Sequence, residues 1–162
     1  MKLHFFGAAG TVTGSKHVVE SEDYKLLLDC GLHQGHYREA YELNKALPFS
    51  AAEIDSVILS HAHADHCGTL PLLANNGYAK SIYCTPATAD IAHLIMMDSA
   101  RVQAGDYKHL QTAAPDKNYL PPLYSMDDVE AAAKLFVKTD YFRRTDAWTE
   151  LNQRIRFKFY DA

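Results

Sequence analysis

The sequence predicts an α/β fold, and three of its features say so. Short apolar runs of strand length recur along it, at Lys2 to Phe6, His17 to Val19, Tyr24 to Asp29, Ser56 to Ser60 and Ser81 to Cys84. Between them lie stretches with helical spacing of apolar residues, Tyr37 to Leu47, Gly68 to Asn75 and Ala87 to about Gln103. A cluster of imidazoles with one carboxylate, His61-Ala62-His63-Ala64-Asp65-His66, follows directly on one of the strand-like runs.

Taken in order, Lys2 to Phe6 alternates polar and apolar residues, as a half-buried strand does. Gly7, Gly10 and Gly14 then open a loop whose backbone can approach other groups closely. His17 to Val19 and Tyr24 to Asp29, joined by the polar turn Ser21-Glu22-Asp23, form a β-hairpin. An acid ending a buried apolar run needs partners, so Asp29 is either a hydrogen-bonded buried carboxylate or a turn-capping aspartate. Ala40, Leu43 and Leu47 set the spacing of a helix from Tyr37 that stops at Pro48. Ser50-Ala51-Ala52-Glu53 has the spacing of a capping box and opens a short helical turn.

Behind the histidine cluster, the Gly68 to Asn75 helix tolerates Pro71 in its first turn and ends at Asn76-Gly77. Its N-terminus would face the cluster and favour an anionic ligand. Thr85-Pro86 opens the long helix, with Ile91, Leu94 and Ile95 as its core face and His93 as an ordinary helix histidine. Gly105 to Tyr124 holds Pro115, Pro121 and Pro122 and has no clean period. It reads as a long loop, functional or mobile, in which His109 and the tyrosines could touch substrate. Ser125 caps a helix to about Lys138, Thr139 to Trp148 is polar without a period, and Arg154 to Tyr160 alternates as a strand.

At 162 residues the length fits one domain with a sizeable core. The net charge of −4 gives no electrostatic case for nucleic-acid binding by this chain alone. Lys134, Lys138, Arg143, Arg144, Arg154, Arg156 and Lys158 do concentrate base towards the C-terminus, which solvated faces of a helix and an edge strand explain as well. No apolar run approaches the roughly 18–20 residues of a membrane span, and no signal-peptide core follows Met1, so a membrane is not an expected partner. Cys30, Cys67 and Cys84 are odd in number and lack Cys-x-x-Cys spacing, which fits buried thiols in a reducing cytoplasm. Cys67 adjoins the histidine cluster but is expected to pack rather than ligate.

His61 and His63 are two apart, so on an extended strand end they point to the same side. Asp65 and His66 fall where the chain turns helical and can reach a second point beside the first. Imidazole nitrogen with carboxylate oxygen, and no thiolate, suits a catalytic zinc, manganese or iron centre better than a closed structural zinc. The cluster reads as a metal site.

As it stands at 61–66, His-x-His-x-Asp-His resembles the signature of the metallo-β-lactamase superfamily. The Gly7-Ala8-Ala9-Gly10-Thr11-Val12-Thr13-Gly14-Ser15 stretch is similar to the opening of its β-CASP branch, and so is Leu26-Leu27-Leu28-Asp29-Cys30-Gly31 followed by Gln34-Gly35. That branch comprises RNA-processing nucleases, among them the mRNA 3′-end cleavage endonuclease. The resemblance implies an αββα sandwich with metals at one edge and RNA as substrate. It implies two zinc ions, one held by His61 and His63 and the other by Asp65 and His66, which activate a water for attack on phosphorus. Asp65 would be the catalytic group that accepts the proton of that water. Asp29 would lie beneath the site and orient the histidines by hydrogen bonds. His33, where relatives more often carry an apolar residue, and His36 are not carried over as ligands.

In the resembled family a strand like Arg154 to Tyr160 runs into Gly-His, which completes the first metal site, and a later aspartate bridges both metals. Here Asp161-Ala162 follows instead. The expectation is a single partial domain over 1–162. It would be the N-terminal half of the sandwich with an incomplete sheet, the β-CASP insertion and the C-terminal half being absent. Such a half-site should hold zinc at low or no occupancy and be catalytically silent. Its open sheet edge should seek the missing C-terminal half of the polypeptide or a second copy, as a homodimer or domain swap. Two rivals stand beside this reading. One is a thioester or lactone hydrolase with the same six-residue motif, against which Thr11-Val12-Thr13-Gly14-Ser15 speaks. The other is a non-catalytic interaction module, with which the tyrosine content and the unfinished sheet are compatible. A flavo-di-iron role would want Glu where His63 stands.

Overall fold

The computed structural model describes residues 1–115, 117–141 and 148–160. Arg143 and Arg144, most of the stretch between Thr139 and Trp148, and Asp161-Ala162 lie outside the described residues. A six-stranded sheet in the order β1-β2-β3-β4-β5-β6 organises the chain. β1 (Lys2–Phe5), β2 (His17–Ser21) and β3 (Tyr24–Leu28) form an antiparallel meander, Ser21 pairing with Tyr24 across a two-residue turn. β4 (Ser56–Ile58), β5 (Ile82–Cys84) and β6 (Phe136–Lys138) then add in parallel.

Each parallel step needs a helical crossover. α1 (Tyr37–Asn44) and a short 3-10 turn (Ala51–Glu53) lie between β3 and β4. α2 (Ala64–Cys67) and α3 (Leu70–Asn75) lie between β4 and β5. α4 (Pro86–Ala113) and α5 (Met126–Ala133) lie between β5 and β6. The central strands contribute Leu27, Val57 and Ile82 to one core, where they meet Leu70 and Leu73 of α3, Met96 of α4 and Val129 of α5. The mixed α/β class and the sheet therefore match the sequence expectation.

Several elements differ from it. α1 ends at Asn44, three residues before Leu47, because Asn44 turns inward and its amide binds the backbone of His33. Ser50 starts the 3-10 turn without the expected side-chain cap, whereas Ser125 and Asp128 form a complete capping box on α5. The expected Gly68–Asn75 helix starts at Leu70, with Gly68 and Thr69 linking it to the separate turn α2. Leu70, Pro71, Leu72 and Leu73 at the start of α3 are all buried.

The largest corrections concern α4 and α5. α4 continues ten residues past Gln103, so half of the expected loop is helix. Its buried stripe is Thr88, Ala89, Ala92, Met96 and Ala100, in which the alanines let it approach closely. Ile91 and Leu94, assigned to the core from their apolarity, are 50% and 67% exposed. α5 ends at Ala133, and Phe136 to Lys138, expected as its last turn, is the sixth strand. β-Branched and aromatic residues at that point suit the sheet better than the helix. The expected Arg154 to Tyr160 strand shrinks to β8 (Arg156–Phe157), paired with β7 (Thr149–Glu150) in a separate two-stranded sheet.

Candidate metal centre

β3 and β4 run parallel and end side by side, which brings Asp29 to the residues that follow β4. Asp29 sits at φ 60°, a left-handed conformation that Asp tolerates better than most residues. The turn sends its side chain inward, and it is 7% exposed. Its Oδ1 accepts from the Ser60 backbone N–H at 2.8 Å. Its Oδ2 accepts from the Ser60 hydroxyl at 2.9 Å and from His66 Nδ1 at 2.8 Å.

Those contacts decide ring tautomers. A carboxylate only accepts, so the proton between it and His66 sits on Nδ1, and the tautomer of the neutral ring is the one with its lone pair on Nε2. The Ser60 hydroxyl has one proton, given to Asp29, so at 2.9 Å from His61 Nδ1 it must accept. His61 is then protonated on Nδ1, and its Nε2 is also a lone pair. A single buried acid thus sets His66 directly and His61 through Ser60. Sequence reasoning identified Asp29 and passed over Ser60, whose hydroxyl adjoins the motif with no spacing signature of its own.

The backbone around this acid is laced to the motif. Cys30 N–H donates to His66 O at 2.8 Å, Leu32 N–H to Ala64 O at 2.9 Å and Ser15 N–H to Asp65 O at 2.9 Å. Gly31 lies so close to the helix that a Cβ there would stand 1.6 Å from Asp65 O. Beneath it, the Lys16 ammonium, 2% exposed, donates to Gly31 O, which also accepts from the Thr69 hydroxyl. Burial holds Lys16 below the usual lysine pKa, with the nearby Cys30 opposing the shift. Cys67 is buried with its thiol on Ala62 O, and burial pushes its pKa up to about 12. It packs and does not ligate.

His61, His63, Asp65 and His66 come together at this strand end. His61 Nε2 and His63 Nδ1 are 3.1 Å apart, and His66 Nε2 and Asp65 Oδ2 are 3.6 Å apart. The His61 ring lies 4.6 Å from that of His63 and 4.0 Å from that of His66, centroid to centroid. The 3.1 Å contact is a hydrogen bond in which His63 Nδ1–H donates to His61 Nε2. The donor chemistry of the four side chains, imidazole nitrogen and carboxylate oxygen, fits a divalent ion. Among the described residues no group of three or more His, Cys, Asp or Glu forms a complete metal-binding set. His33, packed against Gly14, and His93, bound to Glu130, stand apart from the motif. His109 is exposed on α4.

The sequence profile of the metallo-β-lactamase superfamily matches residues 10–155. The chain belongs to the metallo-β-lactamase superfamily. Within it, the chain is 39% identical over 102 residues to ribonuclease TTHA0252 of Thermus thermophilus, covering 63% of this chain and 23% of that protein. It is 32% identical over 146 residues to the transcription termination factor FttA of Methanocaldococcus jannaschii, covering 90% of this chain and 21% of that protein. An RNase J-like protein of the same archaeon is 28% identical over 160 residues, covering 99% of this chain and 30% of that protein. The chain thus spans less than a third of the length of each of these superfamily relatives. Among the described residues no helix is long and apolar enough to cross a membrane.

Proposed function

We propose that this chain carries the metal-binding motif of an RNA-processing phosphodiesterase of the β-CASP branch, with two zinc ions as cofactors and RNA as substrate. The observation that carries the reading is the gathering of His61, His63, Asp65 and His66 at one strand end, where Asp29 and Ser60 engage Nδ1 of His66 and His61 and turn Nε2 of each ring towards the other donors. The ribonuclease names of two relatives support RNA as the substrate class.

His61 and His63 would hold one ion; Asp65 and His66 would hold the other. Bound divalent ions would supply a water acidified towards neutrality and stabilise charge on phosphoryl oxygens. The chain's own residues do the rest. Asp29 keeps a proton on His66 Nδ1 and, through Ser60, on His61 Nδ1, so both rings are aimed with Nε2 towards the site. Asp65, partly exposed beside His66, would take the proton of the attacking water on a carboxylate oxygen. The three buried thiols suit a reducing cytoplasm.

Catalytic zinc normally takes three protein ligands and keeps one position open. Each pair here supplies two, so this chain should bind zinc weakly and turn over nothing until a covalent continuation or a partner completes the site. Hydrolysis assays on single-stranded RNA and on an acyl-thioester, with zinc added, test this. The expected result is no turnover of either. Chelator-sensitive cleavage of RNA by the chain alone would overturn the half-site account, and chelator-sensitive thioester hydrolysis would overturn the substrate class.

A further inference from the structure

A cleft of about 360 Å³ opens between α1, the second half of α4 and the segment 120–123. That volume lies at the low end of small-molecule sites, about 300–1,000 Å³, and suits a single compact ligand. Leu32, Leu110 and Leu123 give it an apolar floor, and Tyr37, Tyr41 and Tyr107 line it from two helices. Burial first, then Tyr37 and Tyr107 among its neighbours, push the Tyr41 hydroxyl above the usual range. No hydroxyl of the three has a hydrogen-bond partner among the described residues, and the Asp106 carboxylate on the rim has neither hydrogen bond nor ion pair among them.

The walls are fixed before any ligand arrives. The buried Asn44 amide holds both backbone groups of His33, at 2.9 and 2.8 Å, and so pins one wall to α1. Gln103 accepts from Leu123 N–H at 2.9 Å and donates to Ser99 at 3.0 Å, pinning the opposite wall to α4. The cleft is also tied to the metal motif. Leu32 in its floor donates its N–H to Ala64 O, the residue between His63 and Asp65.

We propose that this cleft is a nucleobase subsite, in which a base stacks on the tyrosines and gives an N–H to Asp106. The proposal rests on the RNA reading and specifies how a strand would be gripped beside the metal pair. A cluster of phenols around an apolar floor suits a flat aromatic face, and base stacking on aromatic side chains tolerates any sequence. The lone carboxylate disfavours a phosphate in the cleft and selects a ligand edge that donates, such as the exocyclic amine of adenine, cytosine or guanine. This division of labour agrees with a net charge of −4, which leaves stacking rather than phosphate attraction to supply affinity.

Two-dimensional NMR of the isotopically labelled full chain, titrated with adenosine and separately with ribose 5-phosphate, tests the proposal. Adenosine should shift the resonances of Tyr37, Tyr41 and Tyr107 saturably in the millimolar range, and ribose 5-phosphate should leave them in place. Tyr37→Ala, at a side chain that is 65% exposed and so dispensable for folding, should weaken adenosine about tenfold. Asp106→Asn should weaken it several-fold while leaving the folded spectrum intact. No saturable shift, equal shifts with ribose 5-phosphate, or unchanged affinity in Tyr37→Ala would each overturn the subsite. The titration contains neither metal nor phosphodiester, so its failure would leave the metal-site reading standing. Failure of zinc binding would equally leave the titration result standing.

Discussion

Residues 29–32 and helix α4 fasten to the protein in opposite ways. The backbone groups of 29–32 bond to residues 15, 58, 64, 66 and 69, all distant in sequence, and Asp29 adds three side-chain contacts to Ser60 and His66. α4 satisfies its backbone within its own 28 residues and meets the core through a stripe of alanines and Met96, while Ile91, Leu94 and Val102 face outward. Local geometry is therefore over-determined at the motif and loosely specified along the outer face of the helix. A change of one carbon atom should be felt in the first region, and a change from apolar to polar should pass unnoticed in parts of the second.

Gly31→Ala is the sharpest test of that contrast. A Cβ placed 1.6 Å from Asp65 O cannot be accommodated without moving the loop or α2. The expected loss is on the order of 3–5 kcal/mol by chemical denaturation, enough to leave the chain largely unfolded. Ala92→Leu, on the buried stripe of α4, should cost about 1–3 kcal/mol through overpacking. Ile91→Ser and Leu94→Ser, one and two residues away on the outer face, should stay within about 0.5 kcal/mol of the parent. A loss above 2 kcal/mol in either serine variant would show that the outer face is covered.

Lys16 sharpens the comparison from beneath the motif. Because burial lowers its pKa below the ordinary 10.5, the folded chain holds fewer protons on this amine than the unfolded chain between the two values. Stability contributed by Lys16 should therefore rise with pH across that window and be flat below it. Lys16→Met removes a desolvated ammonium while Thr69 still satisfies Gly31 O. It should change stability by less than about 1 kcal/mol near neutral pH, and the difference between parent and variant should grow in the parent's favour towards about pH 10. A pH-independent difference would mean that Lys16 keeps its proton throughout.

The same contrast explains what the sequence disclosed. The hairpin, the strand before the motif and the placement of four site residues at one strand end were legible because each rests on a local pattern: alternation, a polar turn, and donor side chains at spacings 2, 2 and 1. Asp29 was legible as an acid ending an apolar run. Ser60 was not, because its part depends on a hydroxyl wedged between two groups that only folding brings together. The face of α4 was misassigned because apolarity alone marked Ile91 and Leu94, whereas close packing selected Ala89, Ala92 and Ala100. Phe136 to Lys138 was read as helix because three residues carry too little period to separate a strand from a helix end. Tyr37 and Tyr41 of the cleft stand four apart on α1, but no linear spacing connects them to Tyr107 on α4.

Calorimetric titration of the full chain with zinc tests most directly whether these side chains form two donor pairs. Weak, saturable uptake in two components is expected. His61→Ala should remove one component and His66→Ala the other, with circular dichroism showing the folded state of each variant, since His66 is half-buried against Asp29. Heats that stay the same in the doubly substituted chain, or no uptake by the parent, would contradict the account.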